Sequence, residues 1–217
     1  MKTVVLATNN AHKVSEIATA LDFPGWEFRT LRELGIESDP AEDADTFEGN
    51  ARIKARAAHE ASGGLAALAD DSGLEVDALH GAPGVHSARY AGEPCDDAAN
   101  NAKLLAALAD VSDAERAARF VSTLVFVDED GSETVARGTI EGRMGHEERG
   151  SEGFGYDPLF LPDVFGGNRT LAEVSQDEKN TVSHRGNALR QLRAKLEGAD
   201  DSDDIGEAVI AAATLLL

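Results

Sequence analysis

The N-terminal part of the chain passes from a short apolar run through a polar turn into an amphipathic helix. Residues 3–7 are nearly continuous in apolar side chains, which is typical of a buried central strand. Thr8, Asn9 and Asn10 follow, and side chains of this kind are good helix N-caps. Apolar residues then recur at helical spacing, at Val14, Ile17, Ala18 and Leu21. This order predicts a strand that leads into a helix N-terminus, an arrangement that favours anion binding.

Further strands are predicted wherever apolar residues alternate or run together between turn signals. The segments are 26–31, 66–69, 74–79, 119–128 and 133–144. The last two predict a hairpin, because a Glu-Asp-Gly turn lies near their junction. Segment 66–69 would end at Asp70 and Asp71, and ligand sites of open α/β sheets lie at the carboxyl ends of strands. Ser72 and Gly73 predict a tight turn before the next strand.

Helices are predicted after capping residues. Thr46 precedes one helix, another runs from Asp96 to Leu108, and Ser175 forms a capping box with Glu178. The acidic, turn-rich stretch 35–45 predicts a loop. Strands that alternate with helices predict an α/β fold with a mixed, twisted central sheet flanked by helices. We expect one domain over residues 1–199, in two lobes around a cleft, and then an acidic run and an apolar tail over 200–217.

The charge composition is unusual for a chain of 217 residues. Asp and Glu number 40 against 20 Lys and Arg, only six of which are Lys, so the formal net charge is −20. A highly acidic, lysine-poor surface is what a protein kept soluble in concentrated salt would carry, so we expect a halophilic protein. The same charge argues against nonspecific nucleic-acid binding, in which Lys and Arg neutralise phosphates.

Neither end of the chain predicts export or membrane insertion. The apolar run in MKTVVLATNN is too short for a signal peptide, and EAVIAAATLLL is too short to cross a bilayer. The single cysteine, Cys95, cannot form an internal disulfide. We therefore expect a cytoplasmic protein with neither a membrane nor a nucleic-acid partner.

Residues suited to phosphate chemistry recur after the predicted strands and in the loops. Carboxylates such as Glu42, Asp70 and Asp71 are hard oxygen ligands that suit Mg²⁺, and lysines and arginines bind and polarise phosphates. Lys13 lies in a first helical turn, where the helix dipole disfavours a cation, and this indicates a bound phosphate. The sequence has no Walker A motif, no dinucleotide fingerprint and no Cys/His metal spacing. The residues alone indicate Mg²⁺-dependent phosphoryl or nucleotidyl chemistry.

Each of these features also has a simpler interpretation. Asp70 and Asp71 fit an acidic turn between two strands, and Lys13 fits a surface lysine beside an ordinary cap. Phe154, flanked by glycines, fits a minor packing contact in a loop. The residues alone do not decide between these interpretations and a functional site.

Five blocks of the sequence resemble one known family. They are TNNAHK (8–13), ADDSGL (69–74), GAPG with SARY (81–90), GFGYDP (153–158) and SHRG (183–186). In type, order and spacing, from residue 3 to about 196, they are similar to the Ham1/inosine triphosphate pyrophosphatase family. The resemblance implies a mixed α/β fold with a central cleft, Mg²⁺ dependence and a homodimer. It also implies the release of pyrophosphate from non-standard purine nucleoside triphosphates, namely ITP, dITP and XTP.

The resemblance assigns a role to each matching residue. Asp71 would be the general base that orients water toward the α-phosphorus, and Glu42 and Asp71 would hold Mg²⁺, with Asp70 as a further candidate. The triphosphate would be held by Thr8, Asn9, Asn10, Ala11, His12, Lys13 and Lys54. Phe154 would stack on the purine. The remaining substrate contacts would come from Ser72, Gly155, Tyr156, Asp157, Lys179, His184 and Arg185.

One departure from the family pattern concerns metal binding. The family often has Thr-Phe-x-Glu-Asn at the start of a helix, whereas this chain has Gly49 in place of that acid. Glu48 could substitute only if the helix were rotated, which we do not expect. Two other functions stay open, a Maf-like pyrophosphatase of pyrimidine or modified nucleotides and a non-catalytic nucleotide sensor. The GFGYDP and SHRG blocks argue against the first, and the intact acidic pair and Lys13 argue against the second.

Overall fold

The computed structural model describes residues 1–8 and 10–198, and a six-stranded sheet forms the centre of this part of the chain. The strands are β1 (Lys2–Leu6), β2 (Trp26–Thr30), β3 (Ala66–Val76), β4 (Ala117–Val127), β5 (Glu133–Met144) and β6 (Phe160–Pro162). The helices are α1 (Ala11–Ala20), α2 (Phe47–Ala61), α3 (Asp97–Ala107), α4 (Gln176–Val182) and α5 (His184–Leu196).

The sheet is mixed, as the sequence predicted. Its strand order is β2-β1-β3-β4-β5-β6. β1 is parallel to both of its neighbours, whereas β3, β4, β5 and β6 are successively antiparallel. The α/β fold class is therefore confirmed, and the predicted β4–β5 hairpin is present.

The side chains of β1 are buried on both faces of the sheet. Val4 and Leu6 pack in one cluster with residues of α1 and α5, whereas Val5 packs in another with residues of α2. Successive side chains of a strand point to opposite faces, so helices on both sides demand apolar residues at every position. This explains why the sequence is continuously apolar at the start of the chain.

A third core cluster is formed by residues of the long strands β3, β4 and β5 that lie away from β1. Leu74, Phe120 and Ile140 of β3, β4 and β5 pack there with Leu104 of α3 and Phe160 of β6. The acidic pair of β3 lies between this cluster and those around β1. The polar residues thus occupy a gap between packed regions, which is where a cleft can form.

The structure corrects the predicted course of β3. The sequence predicted a strand over 66–69, a tight turn and a second strand over 74–79. Instead, one continuous strand of 11 residues pairs with β4 along its length. Parallel pairing with β1 ends at Leu68, so Asp70 and Asp71 lie beyond the carboxyl end of β1 but within β3.

Gly73 serves close packing in β3 and not a turn. A Cβ at this position would overlap the Ser87 hydroxyl and would lie 2.6 Å from the Gly84 carbonyl oxygen. Ser87 Oγ accepts a hydrogen bond from the Leu74 N–H at 2.9 Å and donates one to Gly84 O at 2.6 Å. The segment Gly84–Arg89, a short 3₁₀ helix, therefore packs directly on the backbone of β3.

The predicted helix starts are confirmed by capping hydrogen bonds. The side chains of Thr46, Asp96 and Ser175 each accept a hydrogen bond from a backbone N–H three residues later. The C-terminal helical region, however, is two helices, because Ser183 has extended backbone and caps α5 through the Gly186 N–H at 3.0 Å. The sequence prediction identified only the first of these two starts.

Two further predictions concern other parts of the chain. The acidic run and apolar tail over 200–217 lie outside the described residues. Within the described ranges, no helix is both long and apolar enough to span a membrane.

Candidate active site

A cavity of about 630 Å³ lies beside the carboxyl end of β1 and the acidic pair of β3. Its size is in the usual range for small-molecule sites. Every predicted site residue whose side chain is described lies on its wall, namely Thr8, Asn10, Lys13, Glu42, Lys54, Asp71, Ser72, Phe154, Gly155, Tyr156, Asp157, Lys179, His184 and Arg185. Asn9 and the side chains of Ala11 and His12 fall outside what the structure describes, so their roles stay predictions.

Asp70 is a fully buried carboxylate whose two oxygens are both bound by protein groups. Oδ1 accepts a hydrogen bond from Ser122 Oγ at 2.9 Å, and Oδ2 lies 2.8 Å from Arg185 Nε and 3.2 Å from Lys13 Nζ. Burial favours the neutral acid, but the two cations outweigh it and hold the pKa of Asp70 well below its usual range. Asp70 therefore anchors Lys13 and Arg185, and its role as a further metal ligand stays a prediction.

Asp71 has a different environment from its neighbour. Its Oδ1 lies 2.7 Å from Lys54 Nζ, which lies 2.9 Å from Glu42 Oε2. Its Oδ2 is buried and has no hydrogen-bond partner among the described residues. Burial raises the pKa of Asp71, and the Lys54 ammonium opposes the rise. A buried carboxylate oxygen without a protein partner at a cavity wall can bind a cation or a water molecule.

Glu42 and Asp71 fit the predicted binding of Mg²⁺. Mg²⁺ in phosphate sites usually takes one or two carboxylates and completes its shell with water and substrate phosphates. In the described part of the chain, no group of three or more His, Cys, Asp or Glu side chains could hold a metal ion. Two carboxylates, one with an unpartnered oxygen, suit an ion whose other ligands come from the substrate.

Gly49 leaves the start of α2 without the acid that the family often has there, and Glu48 does not replace it. Glu48 is paired with Arg52 at 2.7 Å and does not line the cavity. The helix is therefore not rotated in the way that would let Glu48 substitute for the missing acid. A Cβ at Gly49 would lie 2.5 Å from the Ala44 Cβ. The loop that carries Glu42 therefore packs against α2 where a side chain would otherwise project.

The start of α1 presents a capped N-terminus to the cavity. Lys13 N–H donates to Asn10 Oδ1 at 3.2 Å, and Asn10 N–H donates to Thr8 Oγ1 at 3.1 Å. Burial lowers the pKa of Lys13, while Asp70 opposes the shift. A helix N-terminus next to a lysine, at the carboxyl end of a parallel strand, is well suited to an anion.

An aromatic wall forms another part of the cavity. Phe154 is 41% exposed, and Lys179 Nζ lies 4.8 Å from its ring centroid. Lys179 Nζ also lies 2.5 Å from Asp157 Oδ2, which accepts the Phe154 N–H at 2.9 Å. Tyr156 is buried, and its hydroxyl donates to Ser87 O at 2.8 Å. The loop thus holds an exposed ring in a defined position at the cavity wall.

His184 and Arg185, at the start of α5, complete the wall. Burial and the neighbouring Arg185 lower the pKa of His184 well below its usual value, so the imidazole is neutral at pH 7. Its ring stacks on Phe120 at 5.1 Å, and Nδ1 is buried without a partner among the described residues. Arg185 pairs with both Glu16 and Asp70 and donates to Ser72 Oγ at 3.3 Å.

Several cavity residues were not predicted from the sequence as site residues. Among them are Glu16, Ser38, Arg89, Asp97 and Phe120. Glu16 follows Lys13 by three residues, so helical spacing places both on one face of α1. Arg89 stands in the SARY block, but no role was predicted for it. Asp97 and Phe120 gave no such signal, because they resembled an ordinary helix-start acid and a core strand residue.

An open α/β sheet with a cationic and acidic cavity next to an aromatic wall is typical of proteins that bind a phosphorylated, ring-bearing ligand. The chain belongs to the Ham1 family, whose sequence profile matches residues 4–195. It is 48% identical over 194 residues to the dITP/XTP pyrophosphatase of Exiguobacterium sibiricum, covering 89% of this chain and 96% of that protein. It is 50% identical over 195 residues to the dITP/XTP pyrophosphatase of Haemophilus influenzae, covering 89% and 98%.

A solved structure of a HAM1 protein from Coxiella burnetii has a similar fold. It superposes with a TM-score of 0.84 and 41% sequence identity, over 92% of this chain and all of that one. The family resemblance seen in the sequence blocks is therefore confirmed over nearly the whole described chain.

Proposed function

We propose that the protein hydrolyses dITP, XTP and ITP to the monophosphate and pyrophosphate. The relatives named dITP/XTP pyrophosphatase support this activity, because they match nearly the whole chain at close to half identity. The single observation that carries the proposal is the content of the cavity. One continuous wall holds a helix N-terminus with lysines, a carboxylate with an unpartnered oxygen and an exposed aromatic ring.

The triphosphate binds, in this proposal, between α1 and α2. Lys13 and Lys54 approach from the two helices, and the N-terminus of α1 supplies backbone N–H donors. Both lysines are already held by carboxylates, Lys13 by Asp70 and Lys54 by Asp71 and Glu42. Their positions are thus fixed before the substrate arrives, which lowers the entropic cost of binding it.

Glu42 and Asp71 would hold Mg²⁺, which supplies charge neutralisation along the phosphate chain when it is bound. Asp71 also orients the attacking water toward the α-phosphorus and accepts its proton. Its Oδ2 has no hydrogen-bond partner among the described residues, so this oxygen is open to accept that proton. Lys54, at 2.7 Å from Oδ1, fixes the carboxylate so that Oδ2 faces the reaction.

The purine stacks on Phe154 in this proposal, and its 6-oxo group distinguishes it from adenine. Inosine and xanthosine present O6 and N1–H, whereas adenine presents an amino group and a bare N1. Backbone N–H groups, the remaining N–H groups of Arg185 and the neutral imidazole of His184 can pair with O6. A donor left unpaired by adenine costs about 1–3 kcal/mol, so two mismatches give large discrimination.

Three finer expectations are part of the proposal. The protein forms a homodimer, as the family resemblance implies, and light scattering of the purified protein measures this directly. It works in the cytoplasm, in keeping with a single, exposed cysteine. It works in concentrated salt, in keeping with its net charge of −20.

The experiment that tests the proposed function compares nucleotides and identifies the phosphorus product. Purified protein is assayed with Mg²⁺ in high salt against ITP, dITP, XTP, ATP and GTP. We expect pyrophosphate from the first three and little from ATP or GTP. Orthophosphate as the product, or no turnover of any nucleotide by folded protein, would contradict the proposal.

A further inference from the structure

We propose that the N-terminal half of α3 is a clamp that positions the aromatic wall for the nucleobase, with Asp97 and Asn101 as positioning residues. The inference deepens the proposed function and rests on it for the identity of the base. It concerns residues that contact the loop and not the reacting atoms. Two hydrogen bonds carry it, from side chains of α3 to the backbone N–H and the backbone carbonyl of one loop residue.

The clamp grips Gly155, the residue directly after Phe154. The Gly155 N–H donates to Asp97 Oδ2 at 2.8 Å, and the Gly155 carbonyl accepts from Asn101 Nδ2 at 3.1 Å. Asp97 and Asn101 are four residues apart, so they lie on the same face of α3. The backbone N–H and the backbone carbonyl of Gly155 are therefore both bound by side chains of α3.

The loop around Phe154 also has other contacts, among them Lys179 Nζ at 4.8 Å from the ring centroid. Its own bonds run from the Phe154 N–H to Asp157 Oδ2 at 2.9 Å and from the Asp157 N–H to the Phe154 carbonyl at 3.3 Å. Gly155 has φ of +61°, a region that glycine enters easily and in which no side chain adds packing. The two bonds to Gly155 therefore add a connection from a separate helix to the turn that carries the exposed ring.

The same helix also holds the neighbouring wall of the cavity. Asn100 Oδ1 accepts from the Ala91 N–H at 2.7 Å, and Asn100 Nδ2 donates to the Ala88 carbonyl at 3.0 Å. The Tyr156 hydroxyl, directly after Gly155, donates to Ser87 O at 2.8 Å. α3 thus ties the 84–91 segment and the aromatic loop into one unit.

Asp97 is not needed to start the helix, which separates this role from an ordinary cap. The N-cap is Asp96, whose Oδ1 accepts from the Ala99 N–H at 3.0 Å. Asp97 instead lies on the cavity wall and bonds across to Gly155, 58 residues away in the chain. Two adjacent aspartates therefore offer a matched pair, one for the helix and one for the loop.

The test measures binding of two ligands that sample different parts of the cavity. Calorimetry with IMP reports the base and one phosphate, whereas inorganic tripolyphosphate reports the phosphate groups alone. In Asp97→Ala we expect the Kd for IMP to rise about tenfold, as for loss of a charge-assisted hydrogen bond. We expect the Kd for tripolyphosphate to change less than about twofold, since its contacts do not involve the loop.

Conservative and control variants sharpen the test. Asp97→Asn keeps an oxygen that can accept the Gly155 N–H, so we expect most of the IMP affinity to return. Asp96→Asn removes the same charge one residue away and keeps a good cap, so we expect IMP affinity within about twofold of the wild type. Asn101→Leu, which removes the donor to the Gly155 carbonyl, should weaken IMP binding in the same selective way.

The outcomes distinguish this inference from the proposed function. Unchanged IMP binding in Asp97→Ala and Asn101→Leu, or equal weakening of IMP and tripolyphosphate, would overturn the clamp while wild-type turnover stands. If wild-type protein binds IMP but does not hydrolyse ITP, the proposed enzymatic function is contradicted. The clamp is then still tested by the IMP affinities of the variants. If wild-type protein hydrolyses ITP, the KM for ITP in Asp97→Ala and Asn101→Leu should rise in parallel with the Kd for IMP. The kcat of these variants should stay within about twofold of the wild type.

Discussion

Two adjacent aspartates in β3 have different environments because consecutive side chains of a strand point to opposite faces. Asp70 points to Lys13, Arg185 and Ser122, which lower its pKa, whereas Asp71 points to the cavity, where burial raises its pKa. Titratable neighbours whose environments separate their pKa values are a mark of assigned roles in a site. The pair is one structural anchor and one candidate base.

The Asp71→Asn substitution tests the candidate base. The amide keeps the size of the side chain but cannot accept the proton of the attacking water. We expect kcat for ITP to fall by about 100-fold or more, the usual contribution of a general base. We also expect nucleotide to bind still, as measured by calorimetry with IMP. Undiminished turnover would remove Asp71 from this role.

The Asp70→Asn substitution tests the structural anchor. Removing one partner of a buried ion pair costs about 3–5 kcal/mol of the free energy of unfolding. Here Lys13 loses its carboxylate partner, and Arg185 keeps only Glu16. Urea unfolding in high salt measures this change. Glu197→Gln, which breaks an exposed helical pair with Arg193, is the control and should cost less than about 1 kcal/mol. Equal costs for the two variants would contradict the anchor role.

The same anchor predicts how stability depends on pH. The pKa of Asp70 is lower in the folded protein than the ordinary 3.8. Its contribution to the free energy of unfolding is therefore fully present above about pH 4 and is lost as the pH falls further. We expect wild-type protein to lose stability steeply below pH 4, and Asp70→Asn to lose less over the same range. Identical slopes for the two proteins would show that Asp70 does not contribute.

At the scale of elements, the unbroken course of β3 sets the geometry of the site. Asp70 and Asp71 are held by strand hydrogen bonds to β4 and not by a turn. The side-chain directions of the pair are therefore fixed by the pleat of the sheet. Gly73 makes this possible, since the 84–89 segment packs against its backbone.

The Gly73→Ala substitution tests that close approach. The new Cβ would overlap Ser87 Oγ and the Gly84 carbonyl, so the 84–89 segment must shift. We expect a loss of stability of about 1–3 kcal/mol, as for overpacking of a core, seen as a lower Tm. The KM for ITP should also rise, because the displaced segment carries Arg89 and the Ser87 carbonyl that holds Tyr156. An unchanged Tm and KM would show that the segment adapts freely.

The sequence predicted most elements of the fold but not the two junctions that shape the cavity. Apolar periodicity and capping residues identified β1, β2, β4, β5 and most helix starts, because both signals are local, but they missed the short strand β6. Asp-Asp-Ser-Gly resembles a turn, and only the long-range pairing of β3 with β4 makes it a strand. Ser183 was missed as a cap because its helix follows directly on α4 without an intervening loop.

The site residues were predicted mainly from the sequence blocks. The other residues of the cavity could be identified only from their tertiary contacts. The structure places the predicted residues that it describes on one cavity wall. Asp97 gave no local signal, since an acid in a first helical turn is common and its partner is 58 residues away. The ion pair between Asp70 and Arg185 also required the structure, because sequence cannot show which of two adjacent acids faces Arg185.

At the scale of the whole molecule, the net charge of −20 opposes the approach of a triphosphate. The lysines and arginines of the cavity attract it only at short range. Added salt screens the long-range repulsion more strongly than the contacts inside a partly buried site. We expect kcat/KM to rise from low to molar KCl, with circular dichroism showing an intact fold throughout. A steady fall in kcat/KM over that range would contradict this account.

The most direct measurement of the central claim is the position of the oxygen that water contributes. ITP is hydrolysed in water enriched in ¹⁸O. The products are then separated, and mass spectrometry measures the ¹⁸O content of each. Attack at the α-phosphorus predicts one ¹⁸O atom in the monophosphate and unlabelled pyrophosphate. Label in pyrophosphate or in orthophosphate would place the attack at another phosphorus and contradict the assignment of Asp71 and its neighbours.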